Sequence, residues 1–464
     1  MIATETLDVP NELDGDRRFV VGTLSWPEEL MALWGLLKNY AESSRALHLR
    51  HGFAFRARLP GPALVLAHPR HLHRVLRSHV LNYPKSRDYE YLRPILGNGI
   101  FVSDGDLWTR QRRLLQPEFR PQVVGRFLPV LVDSVEALFA EWDRGAGEAR
   151  DVSDDLMRLT LWGVGGALFN SDFRAEAGRI GRALELCLKQ GTLQMMSMGL
   201  LQPWMPTPGN RAAKAAQRDL DAIVRAVITR KRADSTDTDM LSRLLAAKDP
   251  DTGVGMSDPQ ALDEVKSLIL AGHETTSLTL SWTFYLLAQH PEVEDRLRDE
   301  VRRVLGGRRP TVEDVPKLEY TRMVLSETMR LYPPVPGVSR TAREADSFDG
   351  VDVAAGESIV LSMYTTHRHP ELWADPERFD PERFAPSRVG AVVPYSYLPF
   401  LLGRRVCIGE HFAVLEGVLA LAMIVDQYRL ERVDAAPIGT HPVSTLRLAR
   451  PLRMRVRRRE APRS

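Results

Sequence analysis

One cysteine window constrains this chain more than any other stretch. Cys407 sits in Phe400-Leu-Leu-Gly-Arg-Arg-Val-Cys-Ile-Gly409, and the apolar helical run Glu410 to Met423 follows at once. Gly403 and Gly409 let the backbone turn tightly and approach a partner closely. A helix that starts just past the sulfur points its N-terminal dipole at it and favours the thiolate. Backbone N–H groups of such a loop can also turn toward the sulfur. The other cysteine, Cys187 in Leu184-Glu-Leu-Cys-Leu, lacks these neighbours and reads as a buried small hydrophobe.

Two cysteines in 464 residues exclude a disulfide framework and suit a reducing, cytoplasmic setting. Lys plus Arg total 62 against 60 Asp plus Glu, a net charge of +2, which leaves no basic footprint for nucleic acid. Residues 1–18 are polar and acidic, without the basic and apolar regions of a secretory signal. Leu30-Met-Ala-Leu-Trp-Gly-Leu-Leu37 is too short to span a bilayer and reads as an amphipathic surface helix. Ser267 to Ala288 is long enough, but an ionised Glu274 at its centre is costly in lipid. That segment is expected as a helix through the core, and no transmembrane anchor is expected.

The pattern along the chain is mainly α with a small β lobe. Phe53 to Arg58 and Ala63 to Ala67 read as paired strands around Leu59-Pro-Gly-Pro62. Helical periodicity runs from His71 to about 190, interrupted by a loop region from Asn82 to Asp106. Further helices are expected over 211–232, from Ser257 as N-cap, from Pro291 to Gly306, and over 320–331. Short strands dominate 335–363, and a Pro-rich irregular stretch covers 369–386. With no repeat and no long linker, one domain over 1–464 is expected, bounded by the polar segment 1–18 and a frayed tail at 460–464.

Three polar motifs stand out against this background. Ala271-Gly-His-Glu-Thr-Thr276 puts Gly272, Glu274 and Thr275 inside the long helix. A glycine there costs about 1 kcal/mol and suggests a local widening. His273 reads as a satisfied histidine rather than a metal ligand. Glu327 and Arg330 share a helix face ahead of Pro333-Pro334. Trp108 and Arg112 share another, one turn apart.

Taken together these motifs resemble the cytochrome P-450 family over nearly the whole chain, in the family's order. Phe400, Gly403, Arg405, Cys407 and Gly409 match its cysteine signature. The resemblance implies the P-450 fold and haem b, with Cys407 as the iron ligand. A thiolate ligand helps to break the O–O bond of bound dioxygen. It implies that Glu274 brings in protons and that Thr275 donates a hydrogen bond and holds a water. Trp108, Arg112, Arg340 and Arg405 would bind the haem propionates. Glu327 would lock onto Arg330 and onto Arg383 of the later Pro-Glu-Arg-Phe segment, holding the haem loop in shape. Two departures are small: Arg404 stands where Pro is common, and Glu274 replaces the commoner Asp of many bacterial members.

The implied reaction is monooxygenation, inserting one atom of dioxygen by hydroxylation or epoxidation. Family positions for substrate contact fall at Phe101, Met195, Met196 and Leu270, then at Val335, Val338 and Thr445. They are mostly apolar, and a terpenoid, polyketide or fatty acyl molecule would fit them. No flavin or iron–sulfur module is visible. Electrons are therefore expected from NAD(P)H through separate partners, a ferredoxin and its reductase or a similar donor. A peroxide-driven peroxygenase, an isomerase on the same fold, and a non-catalytic haem-thiolate sensor remain as alternatives.

Overall fold

The central helix, Asp258–Leu287, organises the molecule. Ser257 caps it by accepting a hydrogen bond from the Gln260 N–H at 3.4 Å, and Pro259 fills its first turn. Side chains on all its faces are buried, as befits a helix that crosses a core. The computed structural model describes residues 18–460 except 60, 146, 198–199, 234–238, 250–252 and 443, and only the backbone of 36, 37, 195, 196 and 442. The terminal segments 1–17 and 461–464 lie outside the described residues.

Helix Val152–Phe169 packs against the central helix along its length. Gly272 allows the close approach: a Cβ there would lie 2.8 Å from Val164 Cγ2. This corrects the expected widening at Gly272. The backbone is uninterrupted α-helix from 258 to 287, and the missing side chain serves the contact with its neighbour. Helices Leu128–Arg144, Pro291–Leu305, Glu319–Leu331 and Glu410–Gln427 complete the main apolar core.

A smaller core lies under a five-stranded sheet. Its order is Gly22–Thr23, Ala54–Ala57, Ala63–Leu66, Ser358–Leu361 and Val338–Thr341. The second and third strands form the expected hairpin, with Ala54 opposite Leu66. A short hairpin, Thr440–Pro442 with Leu446–Leu448, leans on the central helix through a hydrogen bond from Trp282 Nε1 to the Leu446 carbonyl.

The first helix exceeds its expectation, running from Trp26 to His51 with a kink at Asn39. The Asn39 amide leaves the helical pattern to donate to the Thr440 hydroxyl at 2.6 Å, a distant contact that no local periodicity encodes. Among the described residues no helix is long and apolar enough to cross a membrane.

Candidate active site

The Cys407 loop is built by two backbone constraints. The Cys407 N–H donates to the Phe400 carbonyl at 2.9 Å, closing the loop. Gly403 has φ +70°, and a Cβ there would meet the Leu76 carbonyl oxygen at 2.5 Å. Gly409 does not play the same part. Its φ of −89° suits any residue, and a Cβ would meet only the Cys407 sulfur, at 4.0 Å. The expected tight turn at Gly409 is thus corrected: the strained positions are Leu401, at φ +65°, and Gly403.

Helix Glu410–Gln427 begins directly after this loop. Cys407 is deep in the protein, and the surface it exposes faces a large cavity. Burial raises its thiol pKa, and nearby Glu410 adds to that, while the Gly409 N–H and Arg112 oppose it. Arg112 also donates to the Val406 carbonyl at 2.9 Å, gripping the backbone beside the sulfur.

Arg112, Arg340, Arg405 and Lys85 are among the cations that line that cavity. Arg405 donates to the Tyr83 carbonyl at 2.8 Å and to Asp104. Trp108, buried, has the Arg404 and Arg405 guanidinium groups near its ring at 5.6 and 5.8 Å. Arg340 is 2% exposed, donates to the Ser339 carbonyl at 2.7 Å, and leaves its buried Nε without a hydrogen-bond partner among the described residues. Sequence reasoning missed Lys85, which donates to the carbonyls of Ile100, Phe101 and Ser103 at 2.8–2.9 Å. Burial lowers its pKa to about 7; Asp104 opposes the shift, and Arg405 and Arg340 add to it. Lys85, Arg340 and Arg405 are close enough to repel one another, with Asp104 as their nearby carboxylate. A dianionic ligand would relieve this excess.

The central helix forms another wall. Thr275 lines the cavity and turns its hydroxyl back to the Ala271 carbonyl at 2.8 Å. Glu274 is 2% exposed and is tied to the short hairpin. Its Oε1 accepts from Thr445 Oγ1 at 2.7 Å and from Arg447 Nε at 2.8 Å. Glu274 is thus a buried partner of Arg447 that also lines the cavity. Arg447 was missed because it looks like one more charge on an alternating strand. His273 is buried, with Nδ1 at 2.8 Å from the Ile269 carbonyl, a satisfied core histidine.

Glu327 and Arg330 are fully buried and doubly bonded, at 2.7 and 2.8 Å. Arg383 reaches Glu327 at 3.3 Å, and the Asp380 N–H donates to the same carboxylate at 2.9 Å. Arg330 also donates to the carbonyls of His367 and Pro376 at 2.8 and 2.7 Å. The cluster therefore stitches helix Glu319–Leu331 to the irregular segment that leads to the cysteine loop.

Leu270, Val335, Val338 and Thr445 all line the cavity. So does Phe101, which is 36% exposed and packs near Tyr89. The side chains of Met195 and Met196 lie outside the described residues. The cavity has a volume of about 2060 Å³. That is above the ~300–1,000 Å³ of an ordinary small-molecule site, and leaves room for a macrocycle and a substrate together. A sulfur donor, a surplus of cations and this volume fit a porphyrin with two carboxylates.

A cysteine loop, a cationic wall and a hydroxyl-bearing core helix around one chamber are the arrangement of a haem-thiolate enzyme. Comparison with known proteins agrees. The family model described as Cytochrome P450 matches residues 23–454. Cyclooctat-9-en-7-ol 5-monooxygenase of Streptomyces melanosporofaciens is 35% identical over 412 residues, 88% of each chain. Pentalenene oxygenase of Streptomyces avermitilis is 33% identical, covering 95% of this chain and 97% of that one. A solved cytochrome P450DA heme domain superposes with a TM-score of 0.87 at 26% identity, covering 96% of this chain and 98% of its own. The chain belongs to the cytochrome P450 family and is a monooxygenase of that family.

Proposed function

We propose that this chain oxygenates a terpene-derived skeleton, within one domain over 1–464 and in the cytoplasm. The apolar side chains of Leu270, Val335 and Val338 around the chamber support a hydrocarbon substrate. The names of the relatives, a cyclooctat-9-en-7-ol 5-monooxygenase and a pentalenene oxygenase, support terpenes over fatty acids or polyketides. The observation that carries the reading is that Cys407 and Thr275 line one chamber with those side chains.

Bound haem supplies dioxygen activation and C–H oxidation. Cys407 would ligate its iron, and the Gly409 N–H, Arg112 and the start of helix Glu410–Gln427 favour the thiolate against its burial. Arg112, Arg340, Arg405 and Lys85 bind the propionates, with Trp108 packed beside Arg405. Phe400 and Gly403 shape the loop, Gly409 precedes the helix beside the sulfur, and Gly272 seats the central helix against Val164. Glu327, Arg330 and Arg383 hold the loop's approach. Thr275 orients a water in the chamber by exchanging its Ala271 bond, and Glu274 relays a proton when its bonds to Arg447 and Thr445 open. Phe101 and Thr445 complete the substrate wall. Electrons come from NAD(P)H through a ferredoxin and its reductase.

The test is turnover of a panel of cyclic diterpenes and sesquiterpenes under labelled dioxygen, with NAD(P)H, ferredoxin and reductase. Products carrying one labelled oxygen are expected. Turnover of fatty acids alone, or turnover with hydrogen peroxide but not with NAD(P)H, would contradict the proposal.

A further inference from the structure

The turn that brings Phe101 to the chamber hangs between two ionisable side chains. Ile100 and Phe101 both line the cavity, and neither belongs to a helix or a strand. On one side the Lys85 ammonium donates to the carbonyls of Ile100, Phe101 and Ser103. On the other, Glu264 of the central helix is 0% exposed and accepts the Ile100 N–H on Oε2 at 2.9 Å. Both main-chain polar groups of Ile100 are thus taken by side chains from distant segments. Glu264 is not part of the cavity wall, and its Oε1 has no hydrogen-bond partner among the described residues.

The turn also sits hard on the central helix. The Asn98 N–H donates to Asp263 Oδ2 at 2.8 Å. A Cβ at Gly99 would lie 2.1 Å from Ser267 Oγ and 2.5 Å from the Asp263 carbonyl oxygen, so only glycine permits this approach. The N–H groups of Val102 and Ser103 close the turn onto the Gly99 carbonyl at 2.9 and 3.0 Å. Burial raises the Glu264 pKa to about 8, and Asp263 adds to the shift, while the Ile100 N–H and Lys85 oppose it. Keeping an acid there costs desolvation that one hydrogen bond returns only in part. What the acid supplies is a fixed main chain at the residue before Phe101.

We propose that Glu264 is a positioning residue for the oxygenation: through the Ile100 N–H it fixes the Phe101 ring against the substrate, and so sets which part of the skeleton is presented for oxygenation. Glu264 touches neither substrate nor cofactor. It acts from behind the turn, and Lys85 holds the same turn from the cationic wall. The inference rests on the monooxygenase reading of the site.

Two azoles that bind haem iron, imidazole and 4-phenylimidazole, read the turn without turnover. The larger one reaches the chamber wall and the smaller one does not. In spectral titrations of the ferric holoprotein, Glu264→Leu should weaken 4-phenylimidazole roughly tenfold and move imidazole by less than about twofold. Glu264→Gln keeps an oxygen that accepts from the Ile100 N–H and should restore the wild-type ratio of the two affinities. With any terpene of the panel that the wild type oxygenates, Glu264→Leu should redistribute the product among positions, and Glu264→Gln should not. A merely structural Glu264 would lower the unfolding midpoint of Glu264→Leu but leave the azole ratio and the product distribution unmoved. That result would overturn the proposal, as would a Glu264→Gln that fails to restore the ratio. If Glu264→Leu does not fold, Glu264→Asp, whose shorter side chain retreats from Ile100, decides the matter by the same ratio. A wild type that binds neither azole at a haem iron sinks the parent reading; one that binds both, with the ratio unchanged in the variant, sinks the positioning role alone.

Discussion

Arg447 holds Glu274 from a neighbouring hairpin, with Nη2 2.6 Å and Nε 2.8 Å from the same carboxylate oxygen. The carboxylate is almost fully buried and Arg447 is a quarter exposed. Replacing the arginine strands a buried charge, whereas removing both charges does not. Arg447→Leu should lower stability by about 3 kcal/mol, and adding Glu274→Gln should recover part of the loss. Urea midpoints of the two variants at equal slope check this; equal midpoints would contradict it.

The Glu327 cluster should rank its members. Arg330 makes two short bonds to Glu327 and three to backbone carbonyls, while Arg383 makes one bond at 3.3 Å to Glu327 and one to the Asp375 carbonyl. Arg330→Leu should cost on the order of 3–5 kcal/mol and Arg383→Leu clearly less. Denaturant unfolding measures both, and haem content after expression should fall in the same order.

The two loop glycines should separate as sharply. Gly403→Ala forces a side chain onto positive φ and toward the Leu76 carbonyl. The backbone strain alone is about 1–3 kcal/mol. Gly409→Ala meets nothing closer than 4.0 Å, so it should leave the melting temperature unchanged.

Acid should loosen the β lobe through its buried histidines. Burial lowers the pKa of His71 to about 3 and of His48 to about 4, from 6.5. The unfolded chain takes up protons below pH 6.5 that the folded chain refuses, so stability falls as pH drops from 6.5 toward 3. Among the described residues neither ring nitrogen of His71 has a hydrogen-bond partner, Asp349 lies 4.0 Å from Nε2, and the ring packs on Phe19 and Phe348. His71→Phe should therefore flatten the loss of melting temperature between pH 6.5 and 4. An unchanged slope would contradict the assignment.

What the sequence made legible was local. The capped central helix, the loop-then-helix at Cys407 and the Glu327–Arg330 spacing each depend on neighbours a few residues away. Arg447 and Lys85 were illegible for the opposite reason. Arg447 sits in an alternating strand and Lys85 in a Pro-punctuated loop, and both patterns read as solvated charge. Gly272 stands out in the sequence but misleads, because the side chain it makes room for, Val164, belongs to another helix.

Every role assigned to the chamber depends on the bond from the Cys407 sulfur to haem iron. The reduced carbon monoxide complex reports that bond directly, through the position of its Soret band. A band red-shifted to the thiolate position in the wild type, and lost in Cys407→Ala, is the expected result. A band at the ordinary histidine-haem position in freshly folded wild type, or one that survives Cys407→Ala, would contradict it.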